Sequence, residues 1–348
     1  MSLNFAINGF GRIGRTATRV WWKNHRHIAN LVAINTSGSM EIEAWAHLLK
    51  YDTNYGIFNE EIKVERLKNK AEVTDDDPLL GYITIKDHQI KITAQRDPAK
   101  LPWAESGVDV VIESTGVFRT EETASAHLTA GAKKVLISAP GKGGAISTSV
   151  IGVNQFDPEA KILSNASCTT NCVAPVAAIM TENFGVEKAM LTTIHSYTDD
   201  QNTQDNSHKK DLRRARSAAE IIIPTSTGAA KATAGVIPEL KGIFDGMAVR
   251  VPTPVGSLSD MVFLVKKETS VDEVNRVLTE ASQSERWQGI IAVTNDPIVS
   301  SDIVGRDESS IVDLSLTQVI GGNLVKVVSW YDNEWGYCNR LVEQLSKI

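Results

Sequence analysis

Cysteine is scarce in this chain, with three in 348 residues: Cys168, Cys172 and Cys338. An odd, sparse set offers no disulfide framework, fits a reducing compartment and leaves each thiol open to chemistry. Basic residues are in the minority, 36 against 42 acidic ones, for a formal charge of −6. That balance argues against a dedicated nucleic-acid partner, whose phosphates call for a basic face. No apolar run approaches the roughly 18–20 residues of a membrane helix, so no membrane association is expected. No basic and then apolar leader precedes the strand-like Leu3–Asn8, and a cytoplasmic location is expected. Internal repeats, low-complexity tracts and Pro- or Ser-rich linkers are also missing. What remains is an ordinary soluble composition, 42% hydrophobic and 22% charged, long enough for two cores.

The first half alternates short apolar runs with amphipathic segments, the βαβ pattern of a mostly parallel sheet. Strands are expected at Leu3–Asn8, Leu31–Asn35, Val108–Glu113, Lys134–Ser138 and Ser149–Val153, with helices at Arg12–His25 and Glu121–Gly131. Ile62–Arg66 and Gly81–Ala94 alternate like antiparallel edge strands. From about residue 166 the texture changes. A long helix over Cys168–Phe184 is followed by longer strands at Lys188–Tyr197, Met247–Val251 and Ser257–Lys266, and by a helix at Ser270–Ser282. Ser310–Ile320 and Leu324–Trp330 flank Gly321–Gly322–Asn323, a hairpin signal. The fold class read from this is α/β: a Rossmann-type cofactor domain plus an α+β catalytic domain with a mixed, largely antiparallel sheet.

Gly9-Phe10-Gly11-Arg12-Ile13-Gly14 follows the first strand and opens the first helix. Glycines are needed there for a tight turn, for close approach of the backbone to a pyrophosphate and for helix–strand packing. The helix N-terminus then offers free N–H groups to the phosphates. The bland alternative is a glycine-rich turn, but its place in an N-terminal βαβ unit favours a dinucleotide. The acidic residue about 20 positions on, which would hold the adenosine ribose, is absent: the second strand ends Ile34-Asn35-Thr36-Ser37.

Ser167-Cys168-Thr169-Thr170-Asn171-Cys172 stands where a strand hands over to a helix. A thiol at a helix N-terminus has its thiolate stabilised by the dipole and the free amides, which makes Cys168 the candidate nucleophile. Cys172, one turn further in among apolar neighbours, and Cys338 read as packing thiols. The Cys-x-x-x-Cys spacing has no second ligand pair, so no metal site is expected. Among the seven histidines, His195 differs by ending an apolar strand before a polar loop, a setting that suits either a base or a structural residue.

These motifs resemble glyceraldehyde-3-phosphate dehydrogenases. The likeness is carried by Ser167–Cys172 and by Asn8–Arg15, Leu48–Gly56, Arg96–Pro98, Ser114–Phe118, Ile137–Pro140, Thr193–Asp200, Leu212–Arg216, Ile223–Lys231, Met247–Pro254 and Trp330–Arg340. The resemblance implies that Cys168 attacks an aldehyde, with His195 as base, and that the resulting thioester is cleaved by inorganic phosphate. It further implies anion pockets for glyceraldehyde 3-phosphate and inorganic phosphate built from Ser167, Thr169, Thr198, Arg213, Thr227, Gly228 and Arg250. Lys209, Lys210 and Arg214 are left to a solvated or subunit-contacting loop. The cofactor residues implied are Gly9, Gly11, Arg12, Ile13, Gly14, Thr36, Ser37, Arg96, Thr115, Gly116, Ser138, Ser207, Asn333 and Tyr337. By the same likeness residues 334–348 complete a cofactor domain of residues 1–166, residues 167–333 form the catalytic domain, and the protein is a homotetramer.

Two other readings fit the same fold: an erythrose-4-phosphate dehydrogenase, and a scaffold or nucleic-acid-binding protein. Against the first stands Ser226–Lys231, which resembles the triose enzyme's phosphate loop. Against the second stand the acidic balance and the intact Cys168, His195 and Arg250. In the family, NAD-linked members usually carry Asp where Thr36 stands and Pro where Ser207 stands. Both substitutions lean towards NADP, alone or alongside NAD.

Overall fold

The structure is a computed structural model that describes residues 3–209 and 211–348; Lys210 of the basic loop lies outside them. It divides into two compact units, one of residues 1–149, 155–166 and 338–348, the other of residues 150–154 and 167–337. The divisions therefore fall after residue 337 instead of 333, and residues 150–154 join the second unit.

Apart from a small hairpin of Tyr51–Asp52 and Gly56–Ile57, the strands of the first unit are β1 (Leu3–Asn8), β2 (Ala29–Thr36), β3 (Ile62–Arg66), β4 (Leu79–Ile85), β5 (His88–Ala94), β6 (Val110–Glu113), β7 (Lys134–Ile137), β8 (Ser147–Thr148) and β9 (Ile162–Ser164). Among the described residues they form one sheet in the order β8-β9-β7-β6-β1-β2-β5-β4-β3. Pairing is parallel from β8 through to β5, then antiparallel through β4 and β3. The central strands are covered on both faces, which is why Phe5, Ala6, Ile7 and Val111 form unbroken apolar runs. Ala6, Ala33, Val111 and Trp103 pack together on one side. On the other, Phe5 meets Trp21 edge-on at 5.9 Å. The chain leaves β1 for β2 on one side and later returns to place β6 on the other. The C-terminal ends of β1 and β6 are thus the switch point where such sheets bind ligands.

The helix expected over Arg12–His25 is α1 (Arg12–Val20) followed by a wider π-type turn over Trp21–His25. A helix α2 (Ile42–Lys50) was not expected. Glu121–Gly131 divides at Ser125 into two short helices, the first capped by Thr120. The strand expected at Ser149–Val153 is a turn, closed by Val153 N to Val150 O at 2.9 Å and by a left-handed Gly152. The edge strands are instead β8 and β9.

In the second unit, α3 (Cys168–Phe184) is capped by Ser167, whose side chain accepts from Thr170 N, and it stops at Gly185, φ +65°. The strands are β10 (Val186–Ser196), β11 (Ile223–Ser226), β12 (Phe244–Val251), β13 (Ser257–Val265), β14 (Ile291–Thr294), β15 (Ser310–Asp313), β16 (Gln318–Ile320) and β17 (Leu324–Tyr331). Their order is β11-β12-β10-β13-β17-β15-β14, with β16 also pairing with β17. Pairing is antiparallel except for β10–β12 and β14–β15. The fold is therefore α/β in the first unit and a mixed, largely antiparallel sheet in the second. The run 310–320 breaks after β15 into a short 3-10 turn, Leu314–Leu316, and the hairpin joins β16 to β17. Helix α3 lies against β10, β13, β15 and β17. Met261, Phe263 and Val265 are buried while their neighbours along β13 are half-exposed, the period-2 signature of a sheet covered on one face. The remaining α-helices among the described residues are α4 (Ala229–Val236), α5 (Val271–Gln283, capped by Ser270) and α6 (Trp335–Glu343).

The glycine turn gives the first prediction. A Cβ on Gly14 would lie 2.1 Å from Gly9 O, whereas one on Gly11 would meet nothing within 4 Å. Gly14→Ala should therefore lower stability by about 1–3 kcal/mol through forced backbone displacement, while Gly11→Ala leaves the melting temperature almost unchanged. Thermal unfolding of the two variants checks the contrast, and equal melting temperatures would contradict it.

Candidate active site

The turn from β9 to α3 passes through Ala166, a non-glycine residue held at φ +53°. Such backbone is costly and collects at functional turns. It delivers Ser167 to the cap and Cys168 to the first helical position, where amide groups lack intrahelical partners. Cys168 Sγ lies 3.4 Å from His195 Nε2. His195 comes from the end of β10, where it pairs in register with Arg250 of β12. Arg250 Nη1 stands 2.6 Å from His195 Nδ1 and donates to Ser196 O at 2.8 Å. Nδ1 is also 2.7 Å from Ser196 O.

A residue that the sequence did not single out braces this pair. The Tyr331 hydroxyl bonds Thr169 Oγ1 at 2.9 Å and Thr193 Oγ1 at 2.8 Å. Its ring meets the His195 ring edge-on at 5.9 Å. Tyr331 thereby ties the start of α3 to β10, and nothing in the local sequence of β17 marks it for that task.

Burial controls the protonation states. Desolvation, reinforced by the Arg250 charge, pushes His195 from 6.5 down to about 3. Burial also pushes the Cys168 thiol up, opposed by Arg250 and by Thr169. Both directions favour a neutral thiol beside a neutral imidazole. Burial pushes the Cys172 thiol up to about 11. Cys172 is fully buried and reaches Ser310 Oγ at 3.8 Å.

The anion-binding candidates divide. Arg250 Nε is buried without a hydrogen-bond partner, so this guanidinium has a donor to offer an anion. Thr198 donates to Asp200, which also pairs with Arg214. Burial raises the Asp200 carboxyl, but the Thr198 hydroxyl, Arg214 and Arg250 bring it below its ordinary value. Arg214, assigned from sequence to the solvated loop, is the loop arginine whose charge reaches His195 and Arg250. Arg213 is exposed and donates to Pro224 O at 3.4 Å. The choice between neighbours depends on which way each side chain turns, and sequence spacing carries no such information. Thr227 Oγ1 accepts Ala229 N at 3.1 Å, next to Gly228 at the start of α4. Ser167 caps α3, and Thr169 is held by Tyr331, as described.

In the first unit, Gly9 adopts φ +98° and Gly11 leaves open space above the start of α1. That cradle, which a side chain would fill, fits a dinucleotide pyrophosphate. Arg12 pairs with Asp52, and Ile13 O meets Cys338 Sγ at 3.6 Å. Thr36 is buried: its hydroxyl donates to Thr93 O at 3.1 Å, so it offers no free donor, in contrast to the role expected for it. Ser37 is exposed, its hydroxyl 2.9 Å from Ser39 Oγ. Lys70 Nζ donates to Ser39 O at 2.9 Å, a cation on this rim that the sequence did not mark. Arg96, Thr115 and Gly116 are exposed, and Ser138 N donates to Glu113 O at 2.9 Å. In the second unit, Ser207 is exposed, Asn333 Oδ1 accepts Gly256 N at 3.1 Å, and Tyr337 is buried. Among the described residues no His, Cys, Asp or Glu cluster is disposed to hold a metal, and no helix is long and apolar enough to cross a membrane.

The first unit thus carries a glycine cradle that fits a dinucleotide, and the second a helix-terminal thiol beside a histidine. Comparison with known proteins gives the family. Residues 3–121 match the family profile "Glyceraldehyde 3-phosphate dehydrogenase, NAD binding domain", and residues 167–333 match "Glyceraldehyde 3-phosphate dehydrogenase, C-terminal domain". The chain is 51% identical over 346 residues to a glyceraldehyde-3-phosphate dehydrogenase of Streptomyces coelicolor, covering 99% of this chain and 97% of that protein. It is 50% identical over 341 residues to glyceraldehyde-3-phosphate dehydrogenase 2 of Synechocystis sp., covering 97% and 96%. It is 49% identical over 344 residues to the chloroplastic glyceraldehyde-3-phosphate dehydrogenase A of Zea mays, covering 98% and 81%. The chain belongs to the glyceraldehyde-3-phosphate dehydrogenase family, and it is an oxidoreductase that binds NAD or NADP.

Two predictions follow from the thiol and its base. Iodoacetamide should label Cys168 ahead of the fully buried Cys172 and Cys338; peptide mapping that found Cys172 fastest would overturn the assignment. The second concerns acid stability. Below pH 6.5 the unfolded chain protonates His195, while the folded chain resists until about 3. Stability should fall as pH drops through that window, by on the order of a few kcal/mol. His195→Asn should flatten this slope in urea unfolding midpoints measured between neutral and acid pH.

Proposed function

We propose that this protein oxidises glyceraldehyde 3-phosphate to 1,3-bisphosphoglycerate, reversibly, through a thioester on Cys168. The observation that carries the reading is Cys168 Sγ 3.4 Å from His195 Nε2 at the start of a helix, with Arg250 alongside. The thiol proton passes to Nε2 as sulfur attacks the aldehyde carbon, and Nε2 returns it to the former carbonyl oxygen, giving a thiohemiacetal with the imidazole neutral again. The bound dinucleotide supplies the two-electron acceptor for the hydride at that carbon. His195 takes the hydroxyl proton as the thioester forms, and the Cys168 amide donates to the oxygen. A phosphate oxygen then attacks the carbonyl carbon, the C–S bond breaks, and Cys168 leaves as thiolate.

Arg250 bears on the tautomer of the base. A guanidinium only donates, so its contact with Nδ1 and an Nδ1–H bond to Ser196 O are alternatives. An anion that draws Arg250 away leaves Nδ1–H on Ser196 O and the Nε2 lone pair facing the thiol. Substrate phosphate therefore helps to set the base.

The reading extends to NADP as cofactor, alone or alongside NAD. Thr36 provides no carboxylate to repel a 2′-phosphate, and Ser37, Ser39 and Lys70 supply hydroxyls and an ammonium on the same rim. It extends also to a homotetramer. Met190, Met247, Leu258 and Val262 share the sheet face away from α3, and Met190 is 63% exposed, an apolar surface suited to self-association.

Aldehyde oxidation should require added inorganic phosphate, and Arg250→Ala should lower kcat/KM by on the order of 100-fold or more, from loss of a charge-assisted bond. Full turnover without phosphate, releasing free acid, would overturn the thioester reading. Thr36→Asp should shift the kcat/KM ratio towards NAD by about one to two orders of magnitude. A wild type at least about a hundredfold better with NAD would overturn the NADP reading.

A further inference from the structure

Glu113 ends β6 at the switch point, with its side chain wholly inaccessible. One carboxylate oxygen accepts from Asn8 Nδ2 at 2.5 Å and from His127 Nε2 at 2.9 Å. The other accepts the Thr115 amide at 2.8 Å and the Thr115 hydroxyl. His127 is held from behind, because Trp103 Nε1 lies 3.0 Å from its Nδ1. An indole N–H can only donate, so Nδ1 is bare and the ring is the neutral Nε2–H tautomer.

Asn8 cannot turn its amide over either. Its Oδ1 accepts from Asn35 Nδ2 at 2.7 Å, and Asn35 is in turn fixed by Thr93 Oγ1 at 3.0 Å and Gln95 N at 2.9 Å. Every neighbour therefore donates towards Glu113. A carboxylate, accepting on both oxygens, is the side chain of this size that satisfies them all.

The object of this anchoring is the loop after β6. Ser114 Oγ reaches Gly9 O at 2.7 Å and Asn8 O at 3.0 Å. A Cβ on Gly9 would stand 2.8 Å from Thr115 Cγ2. The glycine turn and residues 114–116 form one surface, and Glu113 holds the second half from beneath. We propose that Glu113, oriented by the tautomer-locked His127, is a positioning residue for the dinucleotide, fixing Thr115 and Gly116 against the glycine turn before the cofactor arrives. Ordering the loop in advance removes a cost that binding would otherwise meet. The proposal rests on the dinucleotide being bound at that turn.

The test compares Glu113→Gln, His127→Gln and His127→Leu, reading the dissociation constants of NAD and NADP by calorimetry, with melting temperature and cofactor-free alkylation of Cys168 as checks on folding. Gln at 113 sets a donor against donors whichever way its amide faces. Gln at 127 can donate to Glu113 and accept from Trp103, as the histidine does, whereas Leu can do neither. Glu113→Gln and His127→Leu should weaken dinucleotide binding on the order of tenfold or more, and His127→Gln should stay within about threefold of wild type. KM for the dinucleotide should rise while KM for the aldehyde holds. Folded Glu113→Gln that binds as wild type overturns the proposal. So does His127→Gln losing as much as His127→Leu, since that would mark a packing role. If Glu113→Gln fails to fold, the two His127 variants decide. A wild type that bound neither dinucleotide would instead overturn the cofactor assignment on which the proposal rests.

Discussion

The approach of Cys168 to His195 depends on two secondary-structure ends being held in one place. The thiol belongs to the start of α3 and the imidazole to the end of β10, and neither element alone brings them together. The hydroxyl chain Thr169–Tyr331–Thr193 joins those ends with bonds of 2.9 and 2.8 Å. Because all three side chains are buried, each hydroxyl must find a partner, and the geometry that satisfies them is also the one that brings sulfur to nitrogen. The helix N-terminus and the nearby guanidinium then lie beside a thiol already within 3.4 Å of the imidazole.

Burial has a second consequence at this site. It disfavours charge on both members of the pair, pushing the imidazole down and the thiol up. Both shifts favour the uncharged form of each partner. Arg250 opposes the rise of the thiol and adds to the fall of the imidazole, and its buried, unpartnered Nε shows that its donors are not all used within the protein.

The first unit meets a different constraint. Its central strands are apolar on both faces, yet their C-terminal ends carry Asn8, Asn35, Thr93 and Glu113, each at most 4% exposed. Such polar groups are tolerated because their donors and acceptors are matched across adjacent strands. The apolar middles hold the sheet together while the polar ends fix the loops that leave it.

Much of this was legible in the chain itself. Apolar runs of period 2 and the glycine spacing mark the parallel half, and β1 and α3 were read to their terminal residues because a strand of six and a capped helix of seventeen carry strong local signals. Cys168 and His195 stood out by their positions at element ends. The short strands β8 and β9 and the turn at Val150–Asn154 were not legible, since pairing with neighbours, not propensity, decides segments of that length. Nor could the sequence say that Arg214 pairs with Asp200 while Arg213 is exposed, that Thr36 buries its hydroxyl on Thr93, that Tyr331 joins α3 to β10, or that Glu113 accepts the Thr115 amide. Residue type and spacing determined which groups are available; which of them meet is decided by side-chain direction and burial, and those exist only once distant strands have paired.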